Sequence, residues 1–220
     1  MLTLKDIKND KEVKILIKTS EKQLDAMAFT EHSTRHLSIV ASWTGMILKE
    51  IGESQKMVRL GEIAGYLHDI GNAVSRYDHA GSGALLAYKI LLDRGMSYSD
   101  ACEIMMAIGN HDEKNGVPVS VLGSALIIAD KSDVHKSRVK DKLLSEKSTI
   151  HDRVNLAVNK SYVEVNKEEK RIDTVVEIDT DICSVSDYFE IYHTRINMCC
   201  KAAELLGYKY GFIVNKMRML

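Results

Sequence analysis

The sequence predicts a mainly α-helical protein, in which a helical bundle is followed by a small α+β subdomain with an antiparallel hairpin or a three-stranded sheet. In the first two thirds of the chain, apolar residues recur every three or four positions, which is the period of an amphipathic helix. After about Thr149 the apolar residues alternate with polar ones, which is the period of a strand. We therefore assign residues 1–148 to a helical domain and residues 149–220 to an α+β subdomain.

The composition is that of an ordinary globular protein, with 220 residues of which 45% are hydrophobic. The 30 basic and 31 acidic residues almost cancel, whereas a general nucleic-acid-binding protein has a basic excess or stripe. The four cysteines form no C-x-x-C pair, which is typical of reduced cysteines in the cytosol. The N-terminus is too polar for a signal peptide and no apolar run could span a bilayer, so we expect a cytoplasmic protein with no membrane partner.

Five helices are predicted in the first domain, after a short charged lead-in of about twenty residues. The first helix ends at Gly52, because glycine is the residue type that most often terminates a helix. Ser97 is the expected N-cap of the fourth helix, with Asp100 three residues later. The five helices extend approximately over residues 21–51, 56–68, 79–94, 98–108 and 120–130.

The second domain begins with a short helix. Two alternating segments follow, Tyr162–Asn166 and Ile172–Ile178, and the polar run between them is predicted to form a hairpin turn. Ser184 and Asp187 form a capping pair that opens a long amphipathic helix. The last apolar segment, Tyr208–Val214, is a candidate third strand.

The most informative stretch is Tyr66–Asn72, in which His68 and Asp69 stand side by side at the end of an apolar helical run. A charged side chain at the buried end of a core helix is costly unless something compensates it. A metal ion would compensate both groups, because imidazole nitrogen and carboxylate oxygen suit zinc, manganese and iron. A His-Asp pair also occurs by chance in many proteins, so the prediction depends on further ligands at suitable positions.

Each of the five predicted helices carries or borders a histidine or an aspartate on its inward-facing side. A helical bundle with a buried metal site requires this convergence. The alternative is that these are polar core residues that satisfy one another by hydrogen bonds. His32, one turn before the first candidate, is more easily explained as a surface or packing residue than as a ligand. The candidate ligands are His36, His68, Asp69, His79, His111 and Asp130.

These residues and their flanks resemble the HD-domain superfamily of metal-dependent phosphohydrolases, whose motif is a histidine, a His-Asp pair, two further histidines and a distal aspartate. The matching segments are Arg35–Ala41, Leu67–Gly71, His79–Ala84 and Ile128–Asp133. The resemblance covers about residues 30–140 and does not visibly reach the C-terminal third. It implies a helical bundle that holds metal ions at its centre.

The resemblance also implies a dinuclear metal centre and a small phosphorylated substrate, such as a nucleotide-like or other phosphate ester. Two such ions, roughly 3.5–4 Å apart, activate a water for in-line attack on phosphorus and neutralise the phosphoryl oxygens. Iron and manganese are the favoured ions, and zinc, magnesium, nickel and cobalt stay open. Asp69 would be a catalytic residue because it would bridge the ions. The ligand sets would be His36, His68, Asp69 and Asp130 for one ion, and Asp69, His79 and His111 for the other.

A basic run follows Asp130, the last candidate ligand. Lys131, His135 and Arg138 recur there at helical spacing, and we expect them to contact the substrate phosphate. The alternative is a solvated basic helix end, which the helix dipole favours. Asp133 is expected to orient a ligand or to relay a proton.

Two features depart from the family pattern. Asn72 stands where many relatives have lysine or histidine. Asn110 precedes His111, where relatives that cleave cyclic dinucleotides often have a second histidine. Cleavage of cyclic di-GMP is therefore disfavoured.

Three functions stay open from the sequence alone. The first is the metal-dependent phosphohydrolase, and the basic run after Asp130 favours it. The second is a mixed-valent diiron oxygenase of HD type, which uses the same six ligands to cleave C–C or C–P bonds. The third is a sensor module that binds a ligand at a retained metal site without catalysis. The oligomeric state is also open, with a homodimer as one candidate.

Overall fold

The computed structural model describes residues 2–27, 34–139 and 150–220, and it has the predicted architecture of a helical bundle followed by an α+β unit. Within the described residues, helices α1–α7 are Leu4–Asn9, Lys11–Ala26, Thr34–Glu50, Gln55–Leu67, His79–Asp93, Tyr98–Gly109 and Val121–Ser132. The C-terminal unit contains α8 (Ile150–Ala157), β1 (Val158–Asn166), β2 (Arg171–Ile178), α9 (Val185–Leu205), β3 (Lys209–Val214) and β4 (Met217–Arg218). His32 and Thr149 lie outside the described residues.

The expectation of a charged lead-in at the N-terminus is wrong, because these residues form α1 and most of α2. Thr3 and Asp6 cap α1 reciprocally, and the Asp10 side chain caps α2 by accepting from two backbone N–H groups. The apolar stripe of α2 is narrow, since only about one residue per turn is buried, and the surrounding lysines hide it in the sequence. The buried residues are Val13, Ile17, Ser20 and Leu24.

Two glycines let the elements that carry the candidate ligands approach closely. At Gly65 of α4, a Cβ would lie 2.7 Å from the Cα of Ala41 in α3. At Gly71, in the 3-10 turn Ile70–Ala73 that follows α4, a Cβ would overlap the backbone carbonyl of His79. Because backbone atoms cannot turn aside as a flexible side chain can, this packing requires glycine at both positions.

The C-terminal sheet has the strand order β1-β2-β3-β4 and is mixed rather than antiparallel. The predicted hairpin is confirmed, since β1 and β2 are antiparallel with Asn166 opposite Arg171. The third predicted strand is present, but β3 runs parallel to β2, with Ile172 opposite Tyr210. The 21-residue helix α9 connects β2 to β3, and a crossover of this kind permits parallel pairing. The short strand β4, which the sequence pattern does not reveal, pairs with β3 in the antiparallel sense.

Helix α9 joins the C-terminal unit to the bundle. Its Cys199 is buried in the same apolar core as the bundle helices, whereas its Tyr188 belongs to a second core with Phe212 of β3. Ser132, the last residue of α7, shares a buried hydrogen bond of 2.6 Å with Thr174 of β2. The end of α7 is therefore fixed from both sides. Among the described residues, no helix, α9 included, is long and apolar enough to cross a bilayer.

We expect the Gly71→Ala variant to be destabilised by about 1–3 kcal/mol, because the added methyl group must displace backbone atoms. Thermal unfolding followed by circular dichroism would then show a lower Tm. The matched control is Gly109→Ala, where the nearest neighbour of an added Cβ is the Cβ of Ala84 at 3.6 Å, an ordinary contact. The control should keep its Tm or gain slightly. Equal Tm values for the two variants would contradict the close approach at Gly71.

Candidate metal centre

The fold brings all six candidate ligands, which are far apart in the sequence, to one site. Each lies close to a helix end: two stand in the first turns of α3 and α5, one in the last turn of α7, and the rest just beyond the ends of α4 and α6. Four histidines and Asp69 are buried, and only 12% of the Asp130 side chain is exposed. The six residues are His36, His68, Asp69, His79, His111 and Asp130.

The four histidines share one orientation, in which Nδ1 makes a hydrogen bond to a neighbouring residue and Nε2 faces the other ligands. In three of them, Nδ1 donates to the carbonyl three residues earlier: His68 to Gly65 at 2.8 Å, His79 to Arg76 at 3.1 Å, and His111 to Ile108 at 2.6 Å. A backbone carbonyl can only accept, so each of these Nδ1 atoms carries a proton. When such a ring is neutral, it presents the lone pair of Nε2, which is the tautomer that a metal ligand needs.

His36 has a carboxylate in place of the carbonyl. Its Nδ1 lies 2.7 Å from Oδ2 of Asp133, and Arg35 donates to the same carboxylate at 3.1 Å. Arg138 donates to the backbone carbonyl of Asp133 at 2.6 Å. Burial raises the pKa of Asp133, but the bond to His36 and the neighbouring arginines outweigh it and lower that pKa to about 2. Asp133 therefore stays ionised, and the geometry suits the expected role of orienting a ligand.

Asp69 lies between two groups of ligand atoms. Its Oδ2 is 3.4 Å from Nε2 of His68 and 3.8 Å from Nε2 of His36. Its Oδ1 is 3.5 Å from Nε2 of His79 and 4.0 Å from Nε2 of His111. The two oxygens of one carboxylate thus face two different pairs of histidines.

Asp130 completes the first group, because its Oδ1 is 3.4 Å from Nε2 of both His36 and His68. The second group is bordered by Asp112, whose Oδ1 is 4.0 Å from Nε2 of His79. Two groups of three residues could each hold a metal ion, because the three ligand atoms within each group lie within 4.8 Å of one another. The groups are His36, His68 and Asp130, and His68, Asp69 and His111.

The electrostatics of the site fit bound cations. Nε2 of His68 is buried and makes no hydrogen bond to any described residue. Burial lowers the pKa of His68, but the carboxylates of Asp69 and Asp130 outweigh it and raise that pKa to about 10. Burial, together with the charge of His68, lowers the pKa of His111 to about 3. Crowded carboxylates beside a neutral imidazole are the donor set that iron, manganese or zinc would bind, so the residues fit a metal.

Asn72, one of the departures from the family pattern, supports Asp69. Its Nδ2 donates to Oδ1 of Asp69 and to the Asp69 carbonyl, both at 2.9 Å. Arg76 in turn donates to Oδ1 of Asn72 at 3.3 Å. The amide therefore holds the Asp69 carboxylate in the orientation that faces both pairs of histidines.

Several of these residues line an open cleft. Two of the predicted substrate contacts, Lys131 and Arg138, are among the lining residues. The ammonium of Lys131 lies 2.7 Å from both Oδ2 of Asp130 and Oε2 of Glu113. The lining residues are Asp69, Arg76, His79, His111, Asp112, Glu113, Asp130, Lys131, Asp133, Arg138 and Arg195.

The third predicted substrate contact, His135, is not brought to the cleft. Helix α7 ends at Ser132, so the helical spacing assumed for the basic residues after Asp130 does not continue. The ring of His135 lies instead 2.9 Å from Oγ of Ser137 and 3.1 Å from the carbonyl of Asn159. The structure therefore places His135 against the start of β1.

Four residues of the cleft were not predicted: Arg76, Asp112, Glu113 and Arg195. Asp112 and Glu113 directly follow the ligand His111, and that position was a usable signal in the sequence. Burial raises the pKa of Glu113, but Lys131 and Arg195 outweigh it and hold that pKa well below its usual range. Arg195 lies in α9, outside the resemblance, where no motif marks it.

Metal binding should release a proton at neutral pH, and metal affinity should fall as the pH falls. The pKa of His68 is raised to about 10 without metal, so His68 is protonated at pH 7 and must lose that proton to become a ligand. Calorimetric titration of Mn²⁺ in two buffers with different ionisation enthalpies would count the released protons. Heats that are independent of the buffer, with an affinity that is constant between about pH 6 and about pH 8, would contradict this linkage.

The Asp133→Asn variant should bind metal about 10- to 100-fold more weakly, because the charge that orients His36 and raises its basicity is lost. Competition with a chelator would measure the affinity, and circular dichroism would verify the helical fold. The matched control is Asp181→Asn, which removes the same charge from an exposed position in the C-terminal unit. An affinity equal to that of the control would exclude the orienting role of Asp133.

Comparison with known proteins finds similarity only to solved structures. No family model matches the sequence, and no curated protein matches it. Among solved structures, the crystal structure of a predicted HD superfamily hydrolase from an uncultured Thermotogales bacterium is similar, with 27% sequence identity, coverage of 57% of this chain and 68% of that chain, and a TM-score of 0.45. The fold brings together the six residues that the resemblance to the HD superfamily singles out in the sequence.

Proposed function

We propose that this protein is a metal-dependent phosphohydrolase of the HD type that acts through a dinuclear centre. The observation that carries the proposal is the position of Asp69, whose two oxygens face two separate pairs of histidines. A mononuclear site would use only the first pair, His36 and His68, and would leave His79 and His111 as buried rings without a function. Both rings already present Nε2 toward Asp69, which supports the second ion.

The two ion positions would share Asp69 as the bridging ligand. When bound, the ions supply Lewis acidity at the phosphoryl group and lower the pKa of a water molecule, which makes it a nucleophile. Sets of imidazole and carboxylate suit iron and manganese first, with zinc, magnesium, nickel and cobalt as further candidates. The proposed sets are His36, His68, Asp69 and Asp130, and Asp69, His79 and His111.

The other residues of the cleft would orient the substrate and move the proton. Lys131 and Arg138 would bind the phosphoryl oxygens, because ammonium and guanidinium groups form strong charge-assisted hydrogen bonds with phosphate. Asp112 lines the same cleft beside His79 and would accept the proton of the attacking water. Asp133 would act through His36 and is therefore a positioning residue.

The cationic side chains of the cleft support hydrolysis over the oxygenase and the sensor. Four cationic side chains line it: Arg76, Lys131, Arg138 and Arg195. Such a cluster is expected where charge develops on phosphoryl oxygens in the transition state. A ligand set that opens into a cleft also leaves coordination positions for water and substrate, as a catalytic site requires.

The test is metal analysis of the purified protein beside phosphate-release assays with iron and with manganese. We expect about two ions per chain and release of phosphate from at least one small phosphate ester. Two irons with oxygen uptake and no phosphate release would identify the oxygenase instead. A chain that binds no ion, even after reconstitution, would contradict the metal centre itself.

Two substitutions separate the ion positions. His79→Gln should reduce the metal content to about one ion per chain, and His36→Gln should weaken the other position, because each removes one ligand. We expect both to lower kcat by about 100-fold or more, since both ions contribute to the transition state. The control is His193→Gln, which changes an exposed histidine of α9 and should leave metal content and rate unchanged. A His79→Gln variant with two ions and full activity would exclude the second position.

A further inference from the structure

Arg195 reaches the cleft from the C-terminal unit, which the family resemblance does not cover. It lies in the middle of α9, and 25% of its side chain is exposed, at the point where it lines the cleft. Its guanidinium lies over the ring of Tyr192, with its central carbon 4.7 Å from the ring centroid. Its Nε donates to Oε1 of Glu113 at 3.0 Å. The side chain is thus fixed in place beside the proposed reaction site.

A chain of alternating charges connects Arg195 to the metal site. Oδ2 of Asp130 and Oε2 of Glu113 both lie 2.7 Å from the ammonium of Lys131. The other oxygen of Glu113, Oε1, lies 3.0 Å from Nε of Arg195. The two cations are therefore held by one shared carboxylate, within three contacts of a proposed metal ligand. This arrangement also demonstrates that Lys131 and Arg195 can hold one carboxylate together.

Arg195 keeps hydrogen-bond donors for a ligand. A guanidinium has five N–H groups, and the bond from Nε to Glu113 is the one hydrogen bond that Arg195 makes within the described residues. The two terminal nitrogens thus have no partner there, while the side chain remains in contact with solvent. A planar pair of donors of this kind binds carboxylate or phosphate in a bidentate manner.

In the described part of the chain, the lining of the cleft offers a nucleobase no aliphatic side chain and no Phe, Tyr or Trp ring. Every residue that lines it among those the structure describes is an aspartate, a glutamate, a histidine, a lysine or an arginine. Sites that bind nucleosides supply aromatic or aliphatic side chains for the base to stack on. Five carboxylates and four cations would be joined by two divalent ions, so the loaded cleft would be strongly positive.

We propose that Arg195 is a specificity-determining residue that binds a second anionic group of the substrate. The substrates would then be small phosphate esters that carry a carboxylate or a further phosphate and lack a nucleobase. This inference rests on the proposed phosphohydrolase function and names its substrate class.

The experiment compares matched esters on the metal-loaded protein. Ethyl phosphate has one anionic group, phosphoglycolate adds a carboxylate to the same two-carbon frame, and ethylene bisphosphate adds a phosphate. We expect kcat/KM to be about 10- to 100-fold higher for one of the two doubly anionic esters than for ethyl phosphate, mainly through KM. The better of the two identifies the second group. Adenosine monophosphate should be hydrolysed no better than ethyl phosphate.

The variants test whether Arg195 causes this preference. Arg195→Met should reduce the ratio of the two kcat/KM values to near one, and Arg195→Lys should keep part of it, because it retains the charge without the planar fork. Lys201→Met is the matched control, since it removes the same charge from an exposed position on α9, and it should keep the ratio. A purely structural role would lower both kcat/KM values equally, so an unchanged ratio in Arg195→Met would overturn the proposal.

A binding measurement gives a readout that does not depend on turnover. Phosphonopropionate and propane-1,3-bisphosphonate, which cannot be hydrolysed, add a carboxylate or a second phosphonate to propylphosphonate. At least one of them should bind about tenfold or more tightly than propylphosphonate, and Arg195→Met should abolish the difference. Binding of neither compound more tightly than propylphosphonate to the unmodified protein would overturn the inference while leaving the phosphohydrolase intact. Phosphate release from no ester at all, by metal-loaded protein, would overturn the phosphohydrolase and this inference together.

Discussion

The structure depends on holding one carboxylate, that of Asp69, between two pairs of histidines inside an apolar bundle. Taking a charged group out of water is costly, and several such groups are removed together here. The surrounding chain compensates in part by hydrogen bonds, since Nδ1 of each of the four histidines is bonded to a backbone carbonyl or a carboxylate. Asn72 holds Asp69, and Asp133 holds His36. The atoms left facing inward are imidazole Nε2 and carboxylate oxygens, which is why cations are expected among them.

Helix ends supply much of this support. The last carbonyls of a helix have no partner within it, and the carbonyls of Gly65 in α4 and Ile108 in α6 accept from His68 and His111 instead. One local contact therefore satisfies a helix terminus and orients a ligand at the same time. The carbonyl end of a helix also carries partial negative charge, which favours a cation nearby. The carbonyl ends of α4 and α6 therefore orient two ligands and favour a cation beside them.

The C-terminal unit completes the site rather than merely following it. Its sheet fixes the last turn of α7 through the hydrogen bond between Ser132 and Thr174, two residues beyond Asp130. Its long helix shares the core of the bundle and brings Arg195 to the cleft. The bundle contains the proposed reaction chemistry, while the added unit contributes charge at the edge of the same cleft. Substrate selection and catalysis would therefore come from different parts of the chain.

The sequence by itself determined the helical class, the order of the candidate ligands and the hairpin, because periodicity and motif spacing are local properties. It did not reveal the N-terminal helices, whose buried stripe is too narrow, and it grouped His135 with the cleft by extending a helix that ends at Ser132. Tertiary structure alone decided that β3 runs parallel to β2. It also decided that Arg195 donates a hydrogen bond to Glu113, which is 82 residues away in the sequence. Such contacts depend on where the crossover helix α9 packs between β2 and β3, and no local sequence pattern determines that position.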